Sequence, residues 1–189
     1  SRYVVGWMLA ETESAELATE FLHNTITKYG IRPGELTLHS DRGAPMTSQT
    51  VAQLLATLGI AKSLSRPRTS NDNPYSEAQF KTMKYRPEFP TRFDSMDQAR
   101  KFCRNFFDWY NHEHYHSGLG LITPVQVYHG MVEAVLQARN EVLAAAYERH
   151  PERFVRKPPQ ATKPAEEVWI NQPPNGTIEF RRLISTPAV

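Results

Sequence analysis

"ELTLHSDRGAPMTSQTVAQLLATLGIAKSLS", residues 35–65, contains the succession of elements on which the fold turns. ELTLHS (35–40) reads as a short strand that stops at Asp41. From about Ser48 to Leu58 the apolar residues Val51, Leu54, Leu55 and Leu58 fall on one helical stripe, with Gly59 behind them as a stop signal. IAKSLS (60–65) is again a strand. Strand, helix and strand in close succession bring the chain back beside its starting point, which is the elementary step of an α/β core.

On the N-terminal side, RYVVGWML (2–9) has strand composition. Residues 14–29 follow as a helix with Leu17, Ala18, Phe21, Leu22, Ile26 and Tyr29 on its apolar face and Gly30 at its C-terminal stop. On the other side a polar loop, RPRTSND, leads to Asn73-Pro74, a cap and first-turn proline for a helix that ends near Pro87. Ser95-x-x-Gln98 is a capping box for a long helix with Ala99, Phe102, Cys103, Phe106 and Tyr110 on one stripe. Thr123-Pro124 opens a short helix to His129, and residues 131–150 predict a further amphipathic one.

From Pro151 the texture changes, because seven of the fourteen prolines lie in the last 39 residues. EEVWI and TIEFRRL, around Asn175-Gly176, read as a small hairpin or a loose tail. The expected organisation is a core at 1–130, a helical extension at 131–150 and a proline-rich basic tail at 151–189.

Bulk properties set the outer limits. The 189 residues, 40% of them hydrophobic, exclude a wholly disordered chain. A single cysteine excludes an intrachain disulfide and fits a reducing compartment. The longest apolar run, YVVGWMLA (3–10), is far too short to span a bilayer, so no membrane role is expected. The start at Ser1, without a methionine or signal segment and already at a strand, reads as a fragment of a longer protein.

Charge is distributed unevenly. Between Lys62 and Arg92 stand seven basic residues (Lys62, Arg66, Arg68, Lys81, Lys84, Arg86, Arg92) against three acids (Asp72, Glu77, Glu88). A basic rim around a carboxylate suits a polyanion gripped by its phosphates, and equally describes a solvated basic face.

Asp41 stands at a strand end and Glu77 in the first turns of a helix, with thirty-five residues between them. Carboxylates that converge from separate elements at one sheet edge make a site for hard cations, since Mg²⁺ prefers oxygen ligands. Glu77, Lys81 and Lys84 follow i, i+4, i+7 spacing and share a helical face, so an acid for metal and two lysines for phosphate point the same way. The bland alternative is a surface Glu77–Lys81 pair with Asp41 as a turn residue before Arg42-Gly43.

Four stretches carry a family resemblance: SRYVVGWMLAETESAEL, LHSDRGAPMTS, SRPRTSNDNPYSEAQFKTMKYRPEFP and FFDWYNHEHYHSGLGLITPVQVYHG. Together, over roughly residues 1–130, they resemble the catalytic half of a bacterial insertion-sequence transposase of the OrfB type. The core of that family is similar to retroviral integrases, within the Asp-Asp-Glu superfamily. The resemblance implies a ribonuclease-H-like fold, a mixed five-stranded sheet flanked by helices. It matches Asp41 to the second catalytic aspartate, Glu77 to the catalytic glutamate and Lys84 to a basic residue that approaches DNA. Lys81, Arg66 and Arg68 join Lys84 as expected DNA contacts. The family's first aspartate lies on an earlier strand, and no Asp precedes Asp41 here. By this comparison the chain lacks the first two strands of the sheet and one of three metal ligands; Glu11 does not take that place.

The implied chemistry is phosphoryl transfer with two Mg²⁺ (or Mn²⁺) ions, Asp41 and Glu77 being the metal ligands this chain contributes. Water cuts at the transposon end, and the freed 3′-hydroxyl attacks target DNA. Implied partners are transposon-end and target DNA and further copies of the protein. The implied setting is the bacterial cytoplasm, at the nucleoid. Whether this chain is itself an enzyme is left open, and without the first aspartate it is expected to be inactive alone. A ribonuclease-H-like nuclease and a non-enzymatic nucleic-acid-binding or assembly fragment are the alternatives.

One rival motif remains. HEHYH (112–116) fits H-E-x-x-H, which on a helix would put His112 and His116 on zinc, Glu113 as base and Glu133 or Glu141 as a third ligand. Gly118 follows almost at once and argues that the helix stops too early. Cys103 reads as core, Trp7 and Trp109 as packing residues, and Asn73 as a helix cap. Ser40 and His39, neighbours on a strand, point to opposite faces and make no hydrolytic triad.

Overall fold

The computed structural model describes residues 1–168. They divide into two units, residues 5–87 and residues 1–4 with 88–168.

In the first of these units, helix α1 (Ala15–Lys28) starts where the Ser14 hydroxyl accepts the Leu17 N–H at 3.1 Å. Strand β1 (Thr37–Ser40) leads through a short helix α2 (Ala44–Thr47) and α3 (Gln49–Thr57) into strand β2 (Ala61–Leu64). The two strands are parallel, in the register Thr37↔Ala61 to Ser40↔Leu64. Leu22 and Ile26 of α1, Val51 and Leu55 of α3, and Ile60 are buried together, with Leu36 and Leu38 packed against them. Along β1, Leu38 turns toward this cluster while Thr37 and His39 are exposed, the alternation that one covered face imposes. Gly59 carries φ +64 where the chain leaves α3, and its carbonyl accepts the Gly34 N–H at 2.8 Å. A β-carbon there would strike Pro33. A 3-10 turn (Ser70–Asp72) and helix α4 (Pro74–Lys84) complete the unit.

Residues 2–9 do not form the strand that their composition predicts. Composition favours extended backbone, but a strand also needs a neighbour with free hydrogen-bonding groups. Here side chains take that role. The Asn111 amide accepts the Val4 N–H at 2.9 Å and donates to the Val4 carbonyl at 3.1 Å. The Tyr29 hydroxyl donates to the Val5 carbonyl at 3.1 Å. Among the described residues the sheet has two strands rather than the three expected from sequence.

The other unit is helical. α5 (Met96–His112) buries Ala99, Phe106, Tyr110 and Asn111. Ser95 Oγ accepts the Gln98 N–H at 3.2 Å, and the returning limb of the cap runs from Asp94 N–H to Gln98 Oε1 at 2.6 Å, one residue before the expected donor. A 3-10 turn (Ser117–Leu119) and α6 (Pro124–Tyr128) follow, then α7 (Val132–Arg149). α7 buries Leu136 and half-buries Val132, Val135, Leu143 and Tyr147 along the same stripe, with Val142 exposed.

Part of the proline-rich segment is built into this unit. The Ala161 N–H donates to Asn140 Oδ1 at 2.7 Å, and Lys163 Nζ lies 3.4 Å from Glu133 Oε1. The Thr162 carbonyl lies over Gly120, whose carbonyl accepts from Arg139 Nη1 at 2.7 Å. The expected hairpin around Asn175-Gly176 lies outside the described residues. Among those described, no helix is long and apolar enough to cross a membrane.

Candidate functional site

β1 ends at Ser40, and the next residue is Asp41, exposed, with Oδ1 accepting the Gly43 N–H at 3.1 Å. That is the turn habit of aspartate, and it opens α2. β2 runs on beside it: the Ser65 N–H donates to the Ser40 carbonyl at 2.9 Å, and Arg42 Nε donates to the Ser65 carbonyl at 3.1 Å. The strand end bearing Asp41 is therefore tied to the start of the loop that leads to α4.

A second set of bonds ties the far end of that loop. The Asp72 carboxylate, 4% exposed, accepts from Arg66 three times: backbone N–H at 2.7 Å, Nε at 2.9 Å and Nη2 at 2.9 Å. These bonds and the carboxylate charge raise the Arg66 guanidinium above its ordinary value. The Asp72 carbonyl lies 2.8 Å from His39 Nε2. A carbonyl can only accept, so Nε2 carries the hydrogen. Nδ1 then faces Ser63 Oγ at 3.0 Å, across the register pair His39↔Ser63.

α4 begins directly after this brace. Asn73 occupies its cap position without a side-chain cap bond, so Asn73 starts the helix by place rather than by capping chemistry. Glu77 lies in the first turn, its N–H donating to the Asn73 carbonyl at 3.3 Å, with Lys81 and Lys84 in the last turn. An acid at the N-terminal end and bases at the C-terminal end both agree with the helix dipole. Glu77, Lys81 and Lys84 are all exposed, and α4 buries none of its residues. Arg68 is exposed at the loop tip with φ +60, whereas Arg66 is held by Asp72. His39, Arg42, Ser65 and Asp72 escaped the sequence reading as parts of this site. The available signal was an arginine and an aspartate of opposite charge, six positions apart, bracketing five residues of a polar loop.

Whether these residues fit a divalent-metal centre is decided by their number. Among the described residues no group of three or more His, Cys, Asp or Glu gathers to hold a metal ion. Asp41 and Glu77 alone do not make a three-ligand set, so the described residues by themselves do not complete such a centre.

The H-E-x-x-H pattern straddles a helix end. α5 stops at His112, whose Nδ1 lies 2.9 Å from the Asp108 carbonyl. His116 lies beyond the helix and caps the next 3-10 turn, its Nδ1 accepting the Gly118 N–H at 3.1 Å. The two imidazoles therefore share no helical face. Burial, and next the Arg2 charge, lower the His116 pKa. Cys103 is partly buried on α5, and burial pushes its thiol up, away from nucleophilic use.

Two family models, both described as integrase core domain, match residues 1–70 and 58–124. The transposase for insertion sequence element IS904 of Lactococcus lactis subsp. lactis is 29% identical over 128 residues, covering 66% of this chain and 49% of that protein. Transposase InsF for insertion sequence IS3A of Escherichia coli is 28% identical over 127 residues, covering 67% and 44%. A chain of the simian T-cell lymphotropic virus intasome in complex with PP2A regulatory subunit B56 gamma is similar at 18% identity and TM-score 0.46, over 64% of this chain and 42% of that one. Between them the two models match residues 1–124 to an integrase core, and the chain is similar to insertion-sequence transposases. It spans about half the length of the curated relatives it matches. Its two parallel strands and surrounding helices represent the α/β layer of such a core.

Proposed function

We propose that the whole protein moves a DNA segment by phosphoryl transfer, cutting at the element's ends and joining the freed 3′-hydroxyl to target DNA. In this proposal Asp41 and Glu77 are two of three catalytic acids, and Lys81, Lys84 and Arg68, with Arg66 beside them, contact DNA phosphates. Residues 1–130 act as the core, 131–150 as a helical extension and 151–189 as a basic tail. Integrase cores of this type generally use divalent metals, and further copies of the chain are proposed to share the DNA.

The observation that carries the proposal is the pair of ties between β1 and the loop before α4. Through Ser65 on Ser40 and His39 on Asp72, the elements that bear Asp41 and Glu77 leave one neighbourhood. Phosphate contacts from exposed lysines position DNA without reading its sequence. For the 189-residue chain alone we expect DNA binding without turnover, because no Asp precedes Asp41 to serve as the first of the three acids.

The test is a nicking and strand-transfer assay on terminal-repeat DNA, with Mg²⁺ or Mn²⁺, using this chain and the full-length product of its gene. Cutting is expected from the full-length product only, with loss on Asp41→Asn and on Glu77→Gln. Full-length activity indifferent to both substitutions would remove these residues from the chemistry. Robust nicking by the 189-residue chain would overturn its proposed incompleteness.

A further inference from the structure

We propose that Asp72 is a positioning residue that sets the separation of Asp41 and Glu77, with Arg66 and His39 as its partners. The inference rests on the role proposed for those two acids, and adds a role for a third that touches no substrate.

Asp72 is a buried charged residue, its side chain 6% exposed, and its partner Arg66 comes from the opposite end of the same loop. A carboxylate this buried is costly unless its oxygens are paired. Arg66 gives both oxygens a hydrogen bond in the planar fork that guanidinium and carboxylate share, and adds its backbone N–H. That geometry closes residues 66–72 into a ring of fixed shape. The ring is fastened at both ends to β1. At one end Ser65 N–H meets the Ser40 carbonyl at 2.9 Å, and at the other His39 Nε2 meets the Asp72 carbonyl at 2.8 Å.

The consequence concerns α4. Pro74 starts the helix two residues after Asp72, and nothing on the helix itself is buried. Pro74, Tyr75, Gln79 and Met83 of α4 are half-buried and none is fully buried, so the attachment at its N-terminal end contributes to where Glu77 stands. Asp41 leaves the same strand end that the ring grips. The loop thus acts as a rigid spacer between two acids whose own side chains are exposed. Catalytic groups demand such support, since a misplacement of about 1 Å can cost on the order of 100-fold in rate.

This assignment also separates Arg66 from its basic neighbours. Two of its donor groups are committed to Asp72, whereas a lysine on α4 presents its whole charge to solvent.

The test measures geometry and rate separately. Nitroxide labels are placed at Ala44→Cys and Ala78→Cys, exposed positions beside the two acids, in a Cys103→Ala background of the 189-residue chain. Electron paramagnetic resonance then reports the distance distribution between them. With Asp72 intact one narrow distribution is expected; Asp72→Ala should widen it about twofold or more, and Asp72→Asn, which keeps an acceptor, should restore part of the narrowing. Arg66→Gln serves as the second variant should Asp72→Ala fail to fold, and is expected to widen the distribution as well. In the full-length product, Asp72→Asn is expected to lower kcat about tenfold or more with KM for DNA changed less than about twofold.

A distribution unchanged in every folded variant overturns the proposal, even if the melting temperature drops, because a merely structural role lowers stability without loosening this one spacing. If the distribution widens but the full-length product transfers no strand, the brace stands and the phosphoryl-transfer role falls. If transfer depends on Asp41 and Glu77 while kcat ignores Asp72→Asn, the positioning role falls and the chemistry stands.

Discussion

Gly120→Ala should undo the packing of residues 159–164 on α7, and Gly130→Ala supplies its control. Both glycines are left-handed, with φ +64 and φ +70. An L-residue in that region costs about 1–2 kcal/mol, so backbone strain alone predicts equal losses. Their surroundings differ. A β-carbon on Gly130 meets nothing within 4 Å, whereas one on Gly120 falls inside van der Waals contact of the Thr162 carbonyl oxygen. The nearest atoms there, from Thr162 and Pro164, are all backbone, so the segment must lift away. Lifting releases the Ala161 N–H from Asn140 Oδ1, a neutral bond of 2.7 Å, which contributes about 0.5–1.5 kcal/mol. It also disturbs the Gly120 carbonyl, where Arg139 Nη1 donates at 2.7 Å; a charged donor of this kind contributes about 1.5–3 kcal/mol. The expected loss is about 1–2 kcal/mol for Gly130→Ala and, from strain and the Ala161 bond, about 1.5–3.5 kcal/mol for Gly120→Ala, rising to about 6 kcal/mol with the Arg139 bond lost as well. Urea melts give the two totals, and amide hydrogen exchange at Ala161 isolates the difference. Each 1.4 kcal/mol is about tenfold in an equilibrium constant, so exchange at Ala161 should quicken about tenfold in Gly120→Ala and stay near the parent rate in Gly130→Ala. Equal melts together with equal Ala161 exchange would refute the reasoning, since then the contact with Thr162 restrains nothing.

Three further outcomes are expected. Asn111→Ala removes both bonds to Val4 and should lower the unfolding free energy by about 2 kcal/mol, read by thermal melts; Asn111→Asp keeps an acceptor for the Val4 N–H but no donor for its carbonyl, and should also destabilise. The His116 pKa lies below 6.5 in the folded protein, so in that window the unfolded chain binds more protons. Stability should therefore be complete above about pH 6.5, fall as pH drops toward the folded pKa, and level off below it; urea melts between pH 5 and pH 8 test this, with the dependence flattened in His116→Gln. Arg68→Gly relieves a left-handed side chain while removing a charge, so thermal stability should hold or rise as DNA binding weakens, with the salt slope of binding reduced by about 1. Lys84→Gln should reduce the slope by the same amount without the gain in stability.

The parts that were legible are those written in periodicity. The stripe Ala99, Phe106, Tyr110 repeats at helical spacing, so α5 could be drawn from the sequence, as could α1, α3 and the two strands around α3. What escaped detection depends on partners distant in sequence. Residues 2–9 have strand composition, yet Val4 finds its hydrogen bonds on Asn111, 107 residues away. The segment 159–164 has linker composition, and it is held by one bond to Asn140, an ion pair of Lys163 with Glu133 and contact with Gly120, none of which leaves a pattern. Of the candidate site, Asp41, Glu77 and the lysines announced themselves by type and spacing. Asp72 did not, since a buried acid in a polar loop looks like any turn residue until its fork with Arg66 is seen.

The clamp of Asn111 on Val4 has a consequence for the order of events at the ribosome. Residues 5–87 are contiguous among the described residues, so that unit can close as soon as it emerges. The first four residues cannot settle until Asn111 has been made, 107 positions later. At about 5–20 residues per second, that is a wait on the order of 5–20 s. Joining ends that far apart carries an entropic charge of about 4 kcal/mol on length alone. A finished neighbour between the ends shortens the span still to be searched, so early closure of residues 5–87 lets the helical unit recruit its opening tetrapeptide at less expense.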